Sequence, residues 1–166
     1  MKKVLVVLLF TAALFVTKQS SAQEQSSGQD YKTALGVRLS SAPAIISHSI
    51  SFKHFLTEQS AVEVLFSFGE PLGIGALYEI HKPLNTPGLR WFYGGGGYLA
   101  FGKEFDATKN AEETKTLFGA QGVIGLDYKF SNLPLNLALD WKPELNLVSD
   151  INFEPAALGI TARFTF

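Results

Sequence analysis

The last twelve residues, 155–166, alternate between apolar side chains and small or polar ones. The apolar positions are Ala156, Leu158, Ile160, Ala162, Phe164 and Phe166. Because successive side chains of a β-strand point to opposite faces, this alternation predicts a strand with one apolar face. The sequence stops on an aromatic residue without a polar tail, whereas the ends of soluble proteins usually fray into water. We therefore expect this strand to lie against an apolar surface.

The same period of two recurs in seven earlier segments. They are residues 31–39, 44–54, 61–69, 74–82, 89–103, 115–130 and 135–148. Turns containing Gly, Pro, Asn and Ser separate these segments. The segments are as long as or longer than the roughly 9 to 11 residues of a membrane-spanning strand. Pro143, in the last of these segments, has no N–H to donate and indicates a bulge or an end of regular pairing. The sequence predicts an all-β fold, an eight-stranded antiparallel up-and-down transmembrane β-barrel over 31–166.

The first 22 residues have the three-part pattern of a secretory signal peptide. Lys2 and Lys3 precede the apolar segment 4–16, and residues 20–22 give a small-x-small cleavage pattern. The apolar segment is too short for a membrane-spanning helix, which needs about 20 residues. We expect a cleaved signal peptide over 1–22 and a periplasmic lead-in over 23–30. The sequence contains no Cys, so neither a lipid-anchored cysteine nor a disulfide is expected.

Alternation alone leaves open which face lines the interior of the barrel. A soluble lipocalin-like barrel also has eight strands, with apolar residues inside. Composition favours the membrane. The polar face carries mainly Gly, Ala, Ser and Thr, which suit a narrow lumen, whereas a soluble barrel would expose many Lys and Glu. The apolar face carries most of the aromatic residues, several of them near strand ends, as a girdle at the membrane interface requires.

The C-terminal strand resembles that of Gram-negative outer-membrane β-barrels, whose terminal Phe and alternating apolar residues are recognised by the barrel-assembly machinery. The resemblance assigns an assembly signal to Leu158, Ile160, Ala162, Phe164 and Phe166. The runs 125–130, 139–144 and 157–160 are similar to small eight-stranded outer-membrane barrels of unassigned function in Bacteroidota-type envelopes. The resemblance implies a porin-like superfamily fold and does not by itself imply an open pore. We expect a monomer in contact with outer-membrane lipid and lipopolysaccharide. It brings no ligand site.

An even number of strands puts both termini on one side of the membrane, and we expect that side to be periplasmic. The predicted periplasmic turns are then 55–60, 84–88 and 131–134. The predicted surface loops are 40–43, 70–73, 104–114 and 149–154. The charged segment 104–114 is the longest loop and falls on the outside, as in outer-membrane barrels generally. A protease added to intact cells is expected to cut there.

Charged residues on the polar face are expected to neutralise one another, because an isolated buried charge is very unfavourable. The predicted inward bases are Lys32, Arg38, Lys53, Arg90, Lys129, Lys142 and Arg163. The predicted inward acids are Glu63, Glu79, Asp127, Asp140 and Glu144. From these we predict a lumen charge network of Asp127, Lys129, Asp140, Lys142, Glu144 and Arg163. A symmetric hairpin around the loop 149–154 places Asp140 opposite Arg163.

Motifs for ligand binding are few. The four glycines 94–97 lack the spacing of a phosphate-binding loop and fit the thinning of a curved strand. His48, His54 and His81 do not form a cluster of metal ligands. Without the signal peptide the chain loses three of its 14 Lys and Arg and none of its 15 Asp and Glu, which leaves a net charge of about −4 and argues against nucleic acid as a partner. We expect no metal and no cofactor.

The enzymatic alternative is a lipid A-modifying outer-membrane enzyme that uses His and Ser. His48 is predicted to face lipid and lies between Ser47 and Ser49. Outer-membrane deacylases carry a His-x-Ser pattern, but the corresponding position here is Ile50, and both serines are predicted to face the lumen. We therefore expect no catalytic residue and a non-enzymatic barrel with a structural or surface-interaction role in the cell envelope. The lipocalin-like lipid-binding barrel stays as the other alternative.

Overall fold

The computed structural model describes residues 31–40, 44–106, 111–148, 151–155 and 157–166, so the predicted signal peptide 1–22 and lead-in 23–30 lie outside the described residues. Ten strands make up the regular structure of the described part. They are β1 (Thr33–Ser40), β2 (Ser49–Phe55), β3 (Ser60–Ser67), β4 (Leu72–Pro83), β5 (Leu89–Asp106), β6 (Ala111–Lys129), β7 (Leu135–Trp141), β8 (Glu144–Asn146), β9 (Asn152–Glu154) and β10 (Leu158–Thr165). No membrane-spanning helix is found among these residues.

Antiparallel pairing closes these strands into a barrel. Each strand from β1 to β6 pairs with the next, and β1 also pairs with β10. The ten strands occupy eight positions, because β7 and β8 share the seventh and β9 and β10 share the eighth. At the closing seam Thr33 N donates to Phe166 O at 3.0 Å, and Phe166 N donates to Thr33 O at 2.9 Å. The predicted eight-stranded antiparallel barrel is confirmed.

The two faces of the barrel wall have opposite polarity. Large apolar side chains point outward and are exposed, for example Leu39, Phe52, Phe101, Leu139 and Ile160. Charged side chains point inward and are buried; Arg38, Lys53 and Glu79 are each at most 1% exposed. One part of the lumen is apolar and is lined by Leu65, Leu77, Phe92, Tyr98 and Val123. The alternation in the sequence produces this arrangement directly, since side chains of a strand alternate between the two faces.

Pro143 divides the predicted seventh strand. The segment 135–148 forms two strands, β7 and β8, separated by Lys142 and Pro143. The proline carbonyl still accepts a hydrogen bond from Gly122 N at 3.0 Å, so the register with β6 continues through the interruption. On the side away from β6, proline has no N–H to donate to the neighbouring strand, and the pairing on that side changes. The prediction of a bulge or of an end of regular pairing at this residue is confirmed.

A one-residue bulge lies opposite Pro143. Trp141 faces Leu158, whereas Glu144 faces Glu154. Two residues lie between Trp141 and Glu144, whereas three residues lie between Glu154 and Leu158. This difference of one residue is the pattern of a β-bulge. The predicted loop 149–154 is wrong for its second half, because residues 152–154 form β9 and pair with β8.

The hairpin of β5 and β6 is longer than the sequence predicted. The expected surface loop 104–114 is wrong for most of its length, because pairing continues to Asp106 and Ala111. The described pairings with β4 and β8 end at Phe101 and near Phe118, so the hairpin continues past its neighbours as a two-stranded ribbon. Charged residues exclude this segment from lipid, but they do not prevent a strand in water, and no Gly or Pro interrupts residues 103–113.

The segment before β2 turns into the barrel instead of extending the strand. The predicted strand 44–54 begins at Ser49. Ala44 is 4% exposed and Ile46 is fully buried, in the apolar part of the lumen with Leu65 and Leu77. The predicted strand 44–54 places Ile46 on its apolar, lipid-facing side together with His48 and Ile50. This is wrong for Ile46, because the period of two assigns faces only to residues that belong to a strand. Residues 44–46 occupy the mouth of the barrel at the end away from the termini, which we call the distal mouth.

Candidate functional site

Buried charges of the lumen form two groups at different heights. The terminal network lies toward the end of the barrel that carries both termini and consists of Lys53, Glu63, Glu79, His81, Asp127 and Arg163. The distal network lies toward the opposite end and consists of Arg38, Asp140, Lys142 and Glu144. Register fixes these heights, since Arg163 lies beside Gly36 and Gly159 lies beside Ser40. The inward parity of the strands places every one of these side chains in the lumen.

Lys53 is the centre of the terminal network. Its Nζ lies 2.7 Å from Glu79 Oε2, 3.7 Å from Glu63 Oε2 and 3.8 Å from Asp127 Oδ2. The ammonium also lies 4.6 Å from the centre of the Phe92 ring, which adds a cation–π contact. These acids come from β3, β4 and β6, so a single lysine on β2 links three other strands across the lumen.

Arg163 occupies the same network from β10. Its Nη2 contacts Glu63 Oε1, and its Nε donates to Ser51 Oγ at 2.6 Å. Its Nη1 donates to Asn136 Oδ1 at 3.1 Å, and Asn136 Nδ2 donates to Asp127 Oδ1 at 2.7 Å. All three nitrogens of the Arg163 guanidinium therefore have a partner, which is what makes a buried charge tolerable.

Aromatic rings close the terminal end of the lumen below this network. The Phe55 ring packs edge-on against Tyr31, with 5.3 Å between ring centres, and at a tilt of 58° against His81, with 4.8 Å between ring centres. The His81 ring stacks on Phe92 at 5.0 Å, and its Nε2 lies 2.9 Å from Glu79 Oε2. The rings of Phe55, His81 and Phe92 are buried, each at most 2% exposed, so this aromatic layer obstructs the lumen for solutes.

The distal network holds the segment 44–46 in the distal mouth. Glu144 pairs with Lys142 and accepts hydrogen bonds from Ile45 N at 2.6 Å and Ile46 N at 3.3 Å. Lys142 Nζ also donates to Ile46 O at 3.4 Å and to Gln121 Oε1 at 3.2 Å. The ion pair thus binds the backbone of the segment from both its N–H and its C=O groups. Both ends of the lumen are therefore obstructed.

Asp140 pairs with Arg38 and not with Arg163. Arg38 Nη2 lies 2.5 Å from Asp140 Oδ1, and Arg38 Nε donates to the same carboxylate at 3.2 and 3.3 Å. The predicted pairing of Asp140 with Arg163 is wrong, because the register places Gly159 opposite Asp140. The hairpin turns earlier than the symmetric prediction assumed, which displaces the register by five residues at Glu144 and Glu154, and the bulge reduces this displacement to four residues at Asp140 and Gly159. The observed register thus differs from the predicted one by an even number of residues, so both side chains still point inward.

Other predicted lumen residues lie at the terminal rim. Lys129 donates from Nζ to Phe130 O at 2.5 Å and to Leu133 O at 2.9 Å, so it binds the turn after β6. Arg90 donates to Glu58 O at 3.2 Å, and Lys32 is exposed. His81 was not predicted to belong to a charge network, although its position two residues after Glu79 gives it the same inward parity. That parity is the feature of the sequence from which its place in the lumen could have been predicted.

The residues assigned to the assembly signal lie on the outer surface of β10 and just beyond it. Leu158, Ile160, Phe164 and Phe166 are exposed, and Ala162 is half-buried between neighbours. Their backbone completes the seam with β1, from the pair Ala34–Thr165 to the pair Ser40–Gly159. One strand thus combines an apolar outer face with the closing backbone hydrogen bonds of the barrel.

Histidines in the described residues give no metal-binding or catalytic arrangement. His48 is exposed, whereas Ser49 is fully buried and Ile50 is exposed, so His48 and Ser49 lie on opposite sides of the wall. His54 Nδ1 lies 2.9 Å from Thr33 Oγ1. Within the described ranges, no group of three or more His, Cys, Asp or Glu is arranged to hold a metal ion.

Comparisons with known proteins identify the fold. No protein-family model matches this chain, and no curated protein matches it. Among solved structures, the N-terminal β-barrel domain of OprF from Pseudomonas aeruginosa is similar, with a TM-score of 0.62. The match covers 84% of this chain and 99% of that chain, at 14% sequence identity. At this identity the likeness concerns the fold: the chain has the fold of a small, closed, eight-stranded β-barrel, of which the OprF barrel domain is a solved example.

Proposed function

We propose that the protein is an integral β-barrel of the outer membrane with a non-enzymatic role in the cell envelope. The observation that supports this is the inverted polarity of the wall, with apolar side chains such as Leu39, Ile160 and Phe101 outside and charged ones inside. Contiguous exposed apolar surface beyond a few hundred Å² is rare on soluble monomers. A bilayer covers such a surface, and a closed barrel satisfies its backbone hydrogen bonds within the membrane.

A lipocalin-like soluble barrel fits the molecule less well. Such a barrel needs an apolar interior for its ligand and a wet outer face. Here the interior contains Lys53, Glu79 and Arg163, all buried and linked to one another through ion pairs and hydrogen bonds. A lipid tail entering this lumen would have to break those contacts, and the exposed apolar face would remain without a covering surface.

The proposed role is structural or at the cell surface. The obstructed ends of the lumen argue against a pore for solutes, and the separation of His48 from Ser49 across the wall gives no support to lipid A chemistry. Among the described residues, the ribbon of β5 and β6 beyond Phe101 and Phe118 extends past the barrel and is the candidate contact surface. We further propose that the signal peptide 1–22 directs export and that the barrel-assembly machinery inserts the protein as a monomer into lipid and lipopolysaccharide. The envelope is proposed to be of Bacteroidota type, and no nucleic-acid partner is proposed.

Epitope accessibility tests both the location and the orientation. A short epitope inserted between Thr108 and Lys109, in the connection of β5 and β6, should be labelled by antibody on intact cells. The matched insertion between Asn85 and Thr86, in the turn of β4 and β5 at the opposite end, should be labelled only after the outer membrane is permeabilised. Equal labelling of both, or recovery of the chain in the soluble fraction, would overturn the proposal.

Deletion of Phe166 tests the assembly signal. The deletion removes an exposed aromatic side chain and the two backbone hydrogen bonds with Thr33 that end the seam. We expect strong loss of the folded, heat-modifiable form from the outer-membrane fraction. Phe166→Leu, which keeps the backbone bonds and an apolar side chain, separates seam closure from recognition of the aromatic ring. Assembly of the deletion variant at the wild-type level would refute the role of this residue.

A further inference from the structure

The outward-facing side chains of β4 are apolar at the distal end and finish with a lysine at the terminal end. They are Leu72, Ile74, Ala76, Tyr78, Ile80 and Lys82. Outside the ribbon of β5 and β6, the outward positions of the described strands carry no Asp or Glu and a single Lys or Arg, which is Lys82. A charge on this face is unfavourable at the centre of a bilayer and tolerated near its surfaces, so the height of Lys82 decides what it contacts.

The spacing along β4 places Lys82 at a membrane surface. Lys82 follows Leu72 by ten positions, which is about 33 Å along a strand. At the roughly 40° tilt of a transmembrane strand this corresponds to about 25 Å across the membrane, the height of the apolar band of an outer-membrane barrel. Phe101 and Trp91 pair with these two residues and put aromatic rings close to the same two heights on β5. Lys82 therefore lies at headgroup level at the terminal end.

Two aromatic rings hold the ammonium group of Lys82. Its Nζ lies 5.5 Å from the centre of the Trp91 ring and 5.7 Å from the centre of the Tyr93 ring. The two rings stack on each other, with 5.2 Å between their centres. The register produces this contact, because Lys82 pairs with Trp91 and Tyr93 is the next outward residue of β5. A cation within about 6 Å of a ring is attracted to its face, which restricts the direction of the long lysine side chain.

The charge of Lys82 has no counter-charge within the described part of the chain. No described carboxylate forms an ion pair with it, and no described residue accepts a hydrogen bond from its Nζ; its contacts are the two rings. The buried lysines differ, since Lys53 pairs with Glu79 and Lys142 pairs with Glu144. The three N–H donors of the Lys82 ammonium are thus available to an acceptor outside the protein.

The surroundings of the lysine select a phospholipid as that acceptor. At headgroup level the abundant anion is a phosphate, which a lysine binds as a point charge. Ile80 pairs with Tyr93 and Leu126 pairs with Trp91, so the outer face beside the rings is apolar and offers a surface to acyl chains, which a free phosphate lacks. A zwitterionic headgroup carries its own ammonium beside the phosphate. An anionic headgroup therefore gains more from a lysine without a counter-charge.

We propose that Lys82, Trp91 and Tyr93 form a binding site on the outer wall for the headgroup phosphate of an anionic phospholipid in the leaflet at the terminal end. The ammonium contacts the phosphate oxygens, the rings hold the ammonium at headgroup level, and the acyl chains lie against Ile80 and Leu126. The inference rests on the membrane location proposed above, in which this leaflet is the periplasmic one.

Quenching of Trp91 fluorescence by brominated lipids measures occupation of the site. The chain contains two tryptophans, so Trp141→Phe leaves Trp91 as the only reporter. In phosphatidylcholine vesicles, brominated phosphatidylglycerol should bind at Trp91 about five-fold more tightly than brominated phosphatidylcholine, the factor that corresponds to about 1 kcal/mol for one basic residue at an anionic surface. Glycerol phosphate in the buffer should leave this preference unchanged. Equal quenching by the two lipids, or loss of the preference when glycerol phosphate is added, overturns the proposal.

Substitutions of lysine separate the site from general attraction of anionic lipid. In the Trp141→Phe background, Lys82→Met should abolish the preference for phosphatidylglycerol, and Lys82→Arg should keep it. The matched control is Lys32→Met, which removes the same charge from an exposed lysine at the same end of the barrel. Lys32 precedes β1, which pairs with β2 and β10 and not with β4 or β5, so the preference should persist. A loss of preference as large in Lys32→Met as in Lys82→Met contradicts a site at Lys82.

The second tryptophan tests whether the preference is local. Trp141 also faces outward, but Ile124 and Leu158 are its paired neighbours, and neither carries a charge. In Trp91→Phe, where Trp141 is the reporter, the two brominated lipids should quench equally, and a preference as strong as that at Trp91 overturns the proposal. A folded, heat-modifiable barrel that shows no lipid preference contradicts the lipid site alone, whereas failure to reach the heat-modifiable state in vesicles contradicts the membrane location as well.

Discussion

Replacing Asp140 by Asn should lower the free energy of unfolding by about 3 to 5 kcal/mol, the effect of breaking a buried ion pair by removing one partner. The variant leaves the Arg38 guanidinium charged in a lumen where the two side chains expose only 2% and 4% of their surface. Neutral Asn offers one carbonyl oxygen in place of a carboxylate that accepts from both Nε and Nη2. Urea unfolding in lipid vesicles, followed through the heat-modifiable band, measures the change.

A double-mutant cycle identifies the partner of Asp140. Combining Asp140→Asn with Arg38→Gln should give a coupling energy of about 1 to 3 kcal/mol, because the second change removes the charge that the first leaves unpaired. Combining Asp140→Asn with Arg163→Gln is the matched control, and these effects should add within about 0.5 kcal/mol. Strong coupling to Arg163 together with additivity at Arg38 would mean that β7 and β10 pair in the register predicted from the sequence, and the observed register would be wrong.

Gly96→Ala should prevent the barrel from reaching its native form, or destabilise it by about 3 kcal/mol or more. A Cβ at this position would lie 1.8 Å from Ala76 O and 2.8 Å from Ala76 C. These are backbone atoms of β4, so the added methyl group can be accommodated only if the pairing of β4 and β5 shifts. Loss of the heat-modifiable form after refolding into lipid vesicles would show this effect.

Gly95→Ala is the control for that substitution. The nearest atom to a Cβ at this neighbouring residue is Gln121 O at 3.5 Å, an ordinary contact distance. The variant should fold like the wild type, since it makes the same chemical change in the same strand. Equal tolerance of the two substitutions would contradict the close approach of β4 and β5 at Gly96.

The strands and their faces follow from the sequence because alternation is a local property. A residue's side depends on its parity within its strand, and no knowledge of the neighbouring strand is needed. Arg38, Lys53, Asp140 and Arg163 were all expected in the lumen on this basis, and all are buried there. Pro143 was expected to interrupt its strand because the missing N–H is a property of the residue itself.

The partners of those lumen residues do not follow from parity. Any register error of an even number of residues leaves every side chain on its expected face, so several pairings satisfy the same sequence pattern. Arg38 and Asp140 are 102 residues apart and meet because β10 lies between their strands when the barrel closes. The bulge opposite Pro143 changes the register by one residue, and an alternation pattern carries no sign of how the neighbouring strand responds.

The sequence by itself determined that this chain forms eight alternating strand segments, which residues face outward wherever a strand forms, and that the lumen is charged. Tertiary structure alone decided that the segment 44–46 enters the distal mouth, because Ile46 has the same polarity whether it faces lipid or the apolar part of the lumen. It also decided that Lys53 joins three acids from three other strands. Those contacts depend on closure of the barrel, which brings distant parts of the chain together. The separation of two residues in the sequence does not predict the distance between their side chains across the lumen.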